Sequence, residues 1–191
     1  MIRKITPKGD EEKRKKRNQI LVSVILASIM ILSTLVYSFG TNLGENSKTK
    51  LKYNNYDFEY FNGLWNTNIS GEIFGFASTP FNSYNVTSDI NSLESYYGKP
   101  LYLFSENTDA ENEIYRNLYK TASEISPACP ENEKGCNENI PVKNCSDNFI
   151  IIKEGNSSGV YQKENCAFIF GAYENLTKIT DGFLLKIIGV Q

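Results

Sequence analysis

The chain has 191 residues, with 20 Lys and Arg, 22 Asp and Glu, and no histidine. Without histidine it lacks the commonest general base and the commonest metal ligand, which excludes Ser-His-Asp and Cys-His mechanisms within the chain. The net charge of −2 conceals an asymmetry. Residues 1–40 carry eight basic and three acidic side chains (+5) and the remainder twelve and nineteen (−7), and that acidic remainder has no basic patch dense enough for nucleic acid.

In chain order, the first feature is an unbroken basic run, Lys13-Arg14-Lys15-Lys16-Arg17. It is followed by 20 positions, Ile20 to Phe39, without a charge, Gly or Pro. As a helix they reach roughly 30 Å, the hydrocarbon thickness of a bilayer, with Tyr37 suited to the headgroup level. Basic residues beside such a helix are retained on the cytoplasmic side, so the expected orientation is N-terminus inside. A signal peptide, cleaved after the small-x-small triplet Ser38-Phe39-Gly40, is the rival reading. The basic leader, with Arg17-Asn18-Gln19 abutting the apolar run, also resembles the N-terminus of type IV pilins, whose apolar helix assembles filaments. That resemblance covers only about 25 residues; no Gly precedes Gln19 and no acidic residue opens the apolar helix.

Gly40 to Lys52 is polar and rich in small residues, as a stalk is. Tyr56 to Tyr60 then alternates apolar and acidic side chains, a half-buried strand pattern, and Asn62-Gly63 is a tight hairpin signal. A two-residue turn pairs Phe61 with Leu64, Tyr60 with Trp65, Phe58 with Thr67 and Tyr56 with Ile69. One face then carries the aromatics and the other Asp57, Glu59, Asn66 and Asn68. The aromatic face reads as core, or alternatively as a platform for stacking sugars or partner side chains. Glu72 to Ala77 suits a third strand.

Ser88 to Tyr97 suits a short helix ended by Gly98 and Pro100, and Leu101 to Phe104 a buried strand. Thr108 to Glu111 reads as a capping box, opening a helix that carries Ile114, Leu118, Ala122 and Ile125 on one stripe and stops before Pro127. Phe149 to Ile152 and Ala167 to Phe170 read as further apolar strands, with a return at Val160-Tyr161 between them. Asp181 to Val190 suits a helix capped by Thr180 or Asp181; the same run also suits a terminal strand. A strand, the long helix and the Phe149 strand form a crossover unit, normally parallel, to which the Ala167 strand is expected to add antiparallel.

The four cysteines, Cys129, Cys136, Cys145 and Cys166, are separated by 6, 8 and 20 residues. Outside the cytoplasm an even number implies disulfides, here 129–136 and 145–166 by preference. The spacing lacks the close pairs of a zinc site and the C-x-x-C of a redox dithiol. Five N-x-S/T sequons fall in the same region. Asn68, Asn85, Asn156 and Asn175 are the glycosylation candidates, and Asn144, next to Cys145, is the poorest.

The expected fold class is α+β: a transmembrane helix followed by a mixed-sheet, disulfide-stabilised domain with two to three helices. The expected parts are a cytoplasmic tail (1–18), a membrane helix (19–39), a stalk (40–52) and an extracytoplasmic domain (53–191). The expected function is a non-enzymatic structural or binding role at the cell surface. The expected partners are the lipid bilayer and an envelope protein or glycan, with no nucleic acid and no cofactor. The alternatives are a pilin-like filament subunit and a hydrolase using carboxylates, with Asp57 and Glu59, or Asp109, Glu111 and Glu113, as candidates. Glu131, Glu133 and Glu138 could also hold Ca²⁺ weakly.

Overall fold

The computed structural model describes residues 8–42, 49–131, 133–134, 136 and 138–191; in the first helix, side chains are described for 13–34. The chain forms two units, Met1–Ser47 and Lys48–Gln191. The first holds one helix, α1 (Lys8–Asn42). Its segment Lys13–Thr34 is, among the described residues, the one helix long and apolar enough to cross a membrane, and its side chains are exposed on every face. The Ser28 hydroxyl donates to the Val24 carbonyl at 2.8 Å, and that of Thr34 to Ile31 at 2.9 Å, so both are satisfied by their own helix. The helix runs through Gly40–Asn42, where a stalk was expected. The Tyr37 side chain and residues 43–48 of the expected stalk lie outside the described residues.

The second unit begins with an antiparallel meander, β1 (Lys50–Tyr53), β2 (Tyr56–Phe61), β3 (Leu64–Ile69) and β4 (Glu72–Phe76). The hairpin register is the one the Asn-Gly turn dictates: Phe61 opposes Leu64, Tyr60 opposes Trp65 and Phe58 opposes Thr67. Both turn residues have positive φ, +52° at Asn62 and +80° at Gly63, the twist that joins two right-handed strands. Lys50–Lys52, expected as stalk, is instead the edge strand β1 paired with β2.

A five-stranded sheet follows, in the order β10-β11-β9-β5-β6. Its strands are β5 (Pro100–Ser105), β6 (Glu124–Pro127), β9 (Phe149–Glu154), β10 (Gly159–Lys163) and β11 (Cys166–Gly171). A parallel pair, β7 (Cys129–Pro130) and β8 (Val142–Lys143), lies in the cysteine loop. Helix α2 (Thr108–Leu118) connects β5 to β6, and α3 (Leu176–Ile187) closes the chain. β5 and β9 are parallel neighbours, an arrangement that the long connection between them permits.

Five further sequence expectations are corrected. β11 runs parallel to β9, not antiparallel, because β10 folds back on the outer side of β11 in a tight hairpin. That places the apolar β11 beside β9, whose residues Phe149 to Ile152 are all buried and need cover on both edges. α2 ends at Leu118, since the chain turns at Tyr119–Thr121 to begin β6, and Ile125 packs from that strand. The cap of α2 is Asn107, whose Oδ1 accepts from the Ala110 N–H at 2.8 Å, rather than Thr108. Between Ser88 and Tyr97 only one 3-10 turn forms, Leu93–Tyr96. The last helix starts at Leu176, five residues early, so Thr180 and Asp181 are buried in its interior. Gly189, at φ +79°, follows its end.

One core joins the layers. Phe58, Phe74 and Phe76 of the meander meet Ile114 and Leu118 of α2, Phe183 and Leu184 of α3, and the inner sheet face of Leu101, Ile150 and Ile169. The aromatic face of the hairpin is thus core at Phe58, and it emerges to solvent at Tyr60, which is 44% exposed. Gly182 lets α3 touch the preceding loop: a Cβ there would lie 2.0 Å from the Tyr84 carbonyl oxygen.

Candidate binding cleft

β5, β9 and β11 alternate, so each sends every second side chain away from the helices. Their register aligns two rows across that outer face: Tyr102, Phe149, Cys166 and Lys163, then Phe104, Ile151, Phe168 and Tyr161. An apolar outer face needs a cover, and the segment from Ala128 to Cys145 supplies one. Cys129 is bonded to Cys136, closing that segment on itself, and Cys145 is bonded to Cys166, fastening it to β11. Ala128, Phe149, Ile151 and Cys166 form a second, smaller buried cluster beneath it.

The cover does not close completely. A cleft of about 580 Å³ remains, floored by Phe149, Ile151 and Phe168. Lys143, Lys153 and Lys163 line it together with Glu131, Glu133 and Glu164. Lys143 sits 4.0 Å from the Tyr102 ring centroid and 3.2 Å from Asp147. Its contact with Tyr102, then with Asp147, holds its ammonium above the ordinary lysine value, so it is a fixed cation and a poor base. Lys153 pairs with Glu133, which latches the cysteine loop to β9. Beside the cleft, Tyr161 stacks on Phe168 with centroids 4.6 Å apart, and Phe170 meets Tyr161 edge-on. An apolar floor lined by charges of both signs suits an amphipathic ligand. The Ser146 hydroxyl at the rim donates to Asn144 rather than to a base.

A different polar cluster is buried where α2, α3 and β4 meet. Arg116 donates to both carboxylate oxygens of Glu113, at 2.9 and 3.1 Å, and the Ser78 N–H donates to Asp181 at 2.8 Å. Asn117 grips both backbone groups of Gly75, accepting from its N–H and donating to its carbonyl at 2.8 and 2.9 Å. Glu113 and Asp181 are 1% and 0% exposed. Burial, and then the neighbouring Asp181, pushes the Glu113 carboxyl up to about 8; burial also raises Asp181. Burial thus favours the protonated form of both carboxyls, and neither lines the cleft.

The other residues singled out from sequence are dispersed. Asp57 is exposed, and Glu59 pairs with Lys50 at 2.6 Å on the meander's outer side. Asp109 and Glu111 stay near solvent at the start of α2, while Glu113 turns inward. Glu131, Glu133 and Glu138 do not converge, and no metal-holding group of three such side chains exists among the described residues. Asn68, Asn85, Asn144 and Asn156 are exposed, and Asn175 is half-buried at the start of α3. The cleft was not anticipated, although its signal was present: the run Phe149 to Ile152 is apolar on both faces, so the outer face had to be covered. Asp181, an acid set among apolar residues at helical period, signalled the buried pair in the same way. No family model, curated protein or solved structure matches the chain.

Proposed function

We propose that this chain is a single-pass membrane protein, anchored by α1, whose disulfide-tied domain works on the extracytoplasmic side by binding rather than by catalysis. The observation that carries the reading is the helix itself. No side chain of Lys13–Thr34 is buried, and the hydroxyls of Ser28 and Thr34 are satisfied within the helix, as suits a bilayer. The basic run before it favours an inside N-terminus, and two disulfides favour an oxidising compartment for the domain. The covered cleft supports a binding role toward a protein or glycan of the envelope, and exposed sequons such as Asn68 and Asn156 would then be glycan acceptors.

Mass spectrometry of the native protein extracted from membranes tests this. An intact N-terminus with both disulfides supports the reading. A new N-terminus after Gly40 replaces the anchor with a signal peptide, one at Gln19 replaces it with a filament subunit, and free thiols place the domain in a reducing compartment.

A further inference from the structure

The cover over the outer sheet face thins out toward β10. Phe149 and Cys166 are 0% exposed beneath it, whereas Tyr161, on the outermost strand, is 45% exposed. Between them the cleft adjoins a second hollow of about 270 Å³, the two sharing Ile151, Lys153 and Phe168. Tyr161, Phe168 and Phe170 wall this second hollow. Tyr161 and Phe168 are stacked cross-strand neighbours, with their planes 7° apart. Phe170 leans across Gly159, its partner on β10, where a Cβ would lie 2.5 Å from the ring's Cζ. The missing side chain gives the ring its seat, and the three rings extend the apolar floor of the cleft into one groove.

Charge decides what kind of ligand fits. Three lysines and three glutamates line the cleft, so a ligand of either net charge meets as many like charges as opposite ones. A wholly apolar ligand, such as an acyl chain, would strip water from those six side chains and return no hydrogen bond. A peptide adding as a strand is also disfavoured. β10 is the outermost strand of the sheet, and the Tyr84 and Ser88 hydroxyls already donate to its flanking Ser158 and its Val160 carbonyl oxygens. The groove instead matches an uncharged molecule with hydroxyls along its edges and apolar C–H faces. Ammonium groups donate to such hydroxyls, carboxylates accept from them, and Asn144 and Ser146 add both kinds of group at the rim. The C–H face of a pyranose ring lies against an aromatic ring.

We propose that the groove binds a neutral oligosaccharide of pyranose rings, one ring against Tyr161 and Phe170 and the next reaching the lysines and glutamates of the cleft. The inference names the ligand class for the binding role above and rests on that reading.

The full chain, in a detergent without a sugar head group, is titrated calorimetrically with cellotriose, chitotriose and maltotriose. Trigalacturonate and the chitosan trimer serve as anionic and cationic counterparts. At least one neutral trisaccharide is expected to bind saturably, and neither charged one more tightly. Tyr161→Ala is expected to weaken binding about tenfold at an unchanged unfolding midpoint. Tyr161→Phe is expected to keep affinity within about twofold, because the ring face and not the hydroxyl makes the contact. No saturable binding of a neutral trisaccharide at millimolar concentration overturns this inference alone, as does binding that Tyr161→Ala leaves intact or tighter binding of a charged trisaccharide. Cleavage of the bound sugar to shorter products would overturn the non-catalytic reading instead, while leaving the saccharide site in place.

Discussion

Replacing Glu113 by Gln should make the domain more stable at alkaline pH although it breaks the Glu113–Arg116 ion pair. Glu113 is held by Arg116 on its own helix, but it faces Asp181 across the α2–α3 contact, and burial adds to the cost of its charge. Its proton therefore leaves at about 8 in the folded state, against 4.5 in the unfolded chain. Between those values the folded state binds the extra proton, so stability is full below pH ~4.5 and falls as pH rises through ~8. The slope reaches about 1.4 kcal/mol per pH unit, a loss of order 5 kcal/mol across the window. Gln carries no charge to desolvate, and Arg116 is partly exposed and can return to water. The wild-type and Glu113→Gln profiles should cross near neutrality. Asp181→Asn should act in the same direction but less, because burial remains the larger cause. The assay is denaturant unfolding of the full chain in detergent, followed by Trp65 fluorescence from pH 4.5 to 8.5. A flat wild-type profile, or a Glu113→Gln profile of unchanged slope, would refute the raised Glu113 carboxyl.

Other outcomes follow from single contacts. Gly182→Ala drives a methyl to 2.0 Å from the Tyr84 carbonyl oxygen and should cost about 3 kcal/mol or more in the same unfolding assay. Asn107→Ala removes the cap on Ala110 and a second bond to the Tyr173 carbonyl, costing ~1–2 kcal/mol, whereas Thr108→Ala should be nearly neutral. Replacing the Cys145–Cys166 pair by Ala releases a loop of 21-residue separation and should cost ~3 kcal/mol, against ~2.5 for the seven-residue Cys129–Cys136 loop. Losing the first pair should also open the cleft, read as faster hydrogen exchange at Phe149 and Ile151.

What could be read from sequence was what local chemistry dictates. The hairpin register followed from Asn62-Gly63 and the alternation around it, because both signals act over a few residues and agree. The apolar helix and the strands at Leu101, Phe149 and Ala167 were equally plain. Long-range competition hid the rest. Ile125 continues the helical stripe of Ile114 and Leu118, yet it sits in β6, since pairing with β5 outweighs two more helical turns. β6 tolerates Pro127 because it is an edge strand. The order of β10 and β11 depends on which of two apolar strands lies beside β9, and no residue in either states it. The early start of α3 at Leu176 was masked by Thr180-Asp181, which resemble a cap until Glu113 and Ser78 are placed beside them.

The anchored, outward-facing arrangement is tested most directly by protease treatment of intact cells, followed by alkaline washing of the membranes. The account predicts that the domain from Lys48 to Gln191 is cut away or trimmed from outside, while a fragment holding Lys13–Thr34 stays membrane-bound. A domain fully protected until the cells are opened, or a helix-bearing fragment released by the wash, would contradict it.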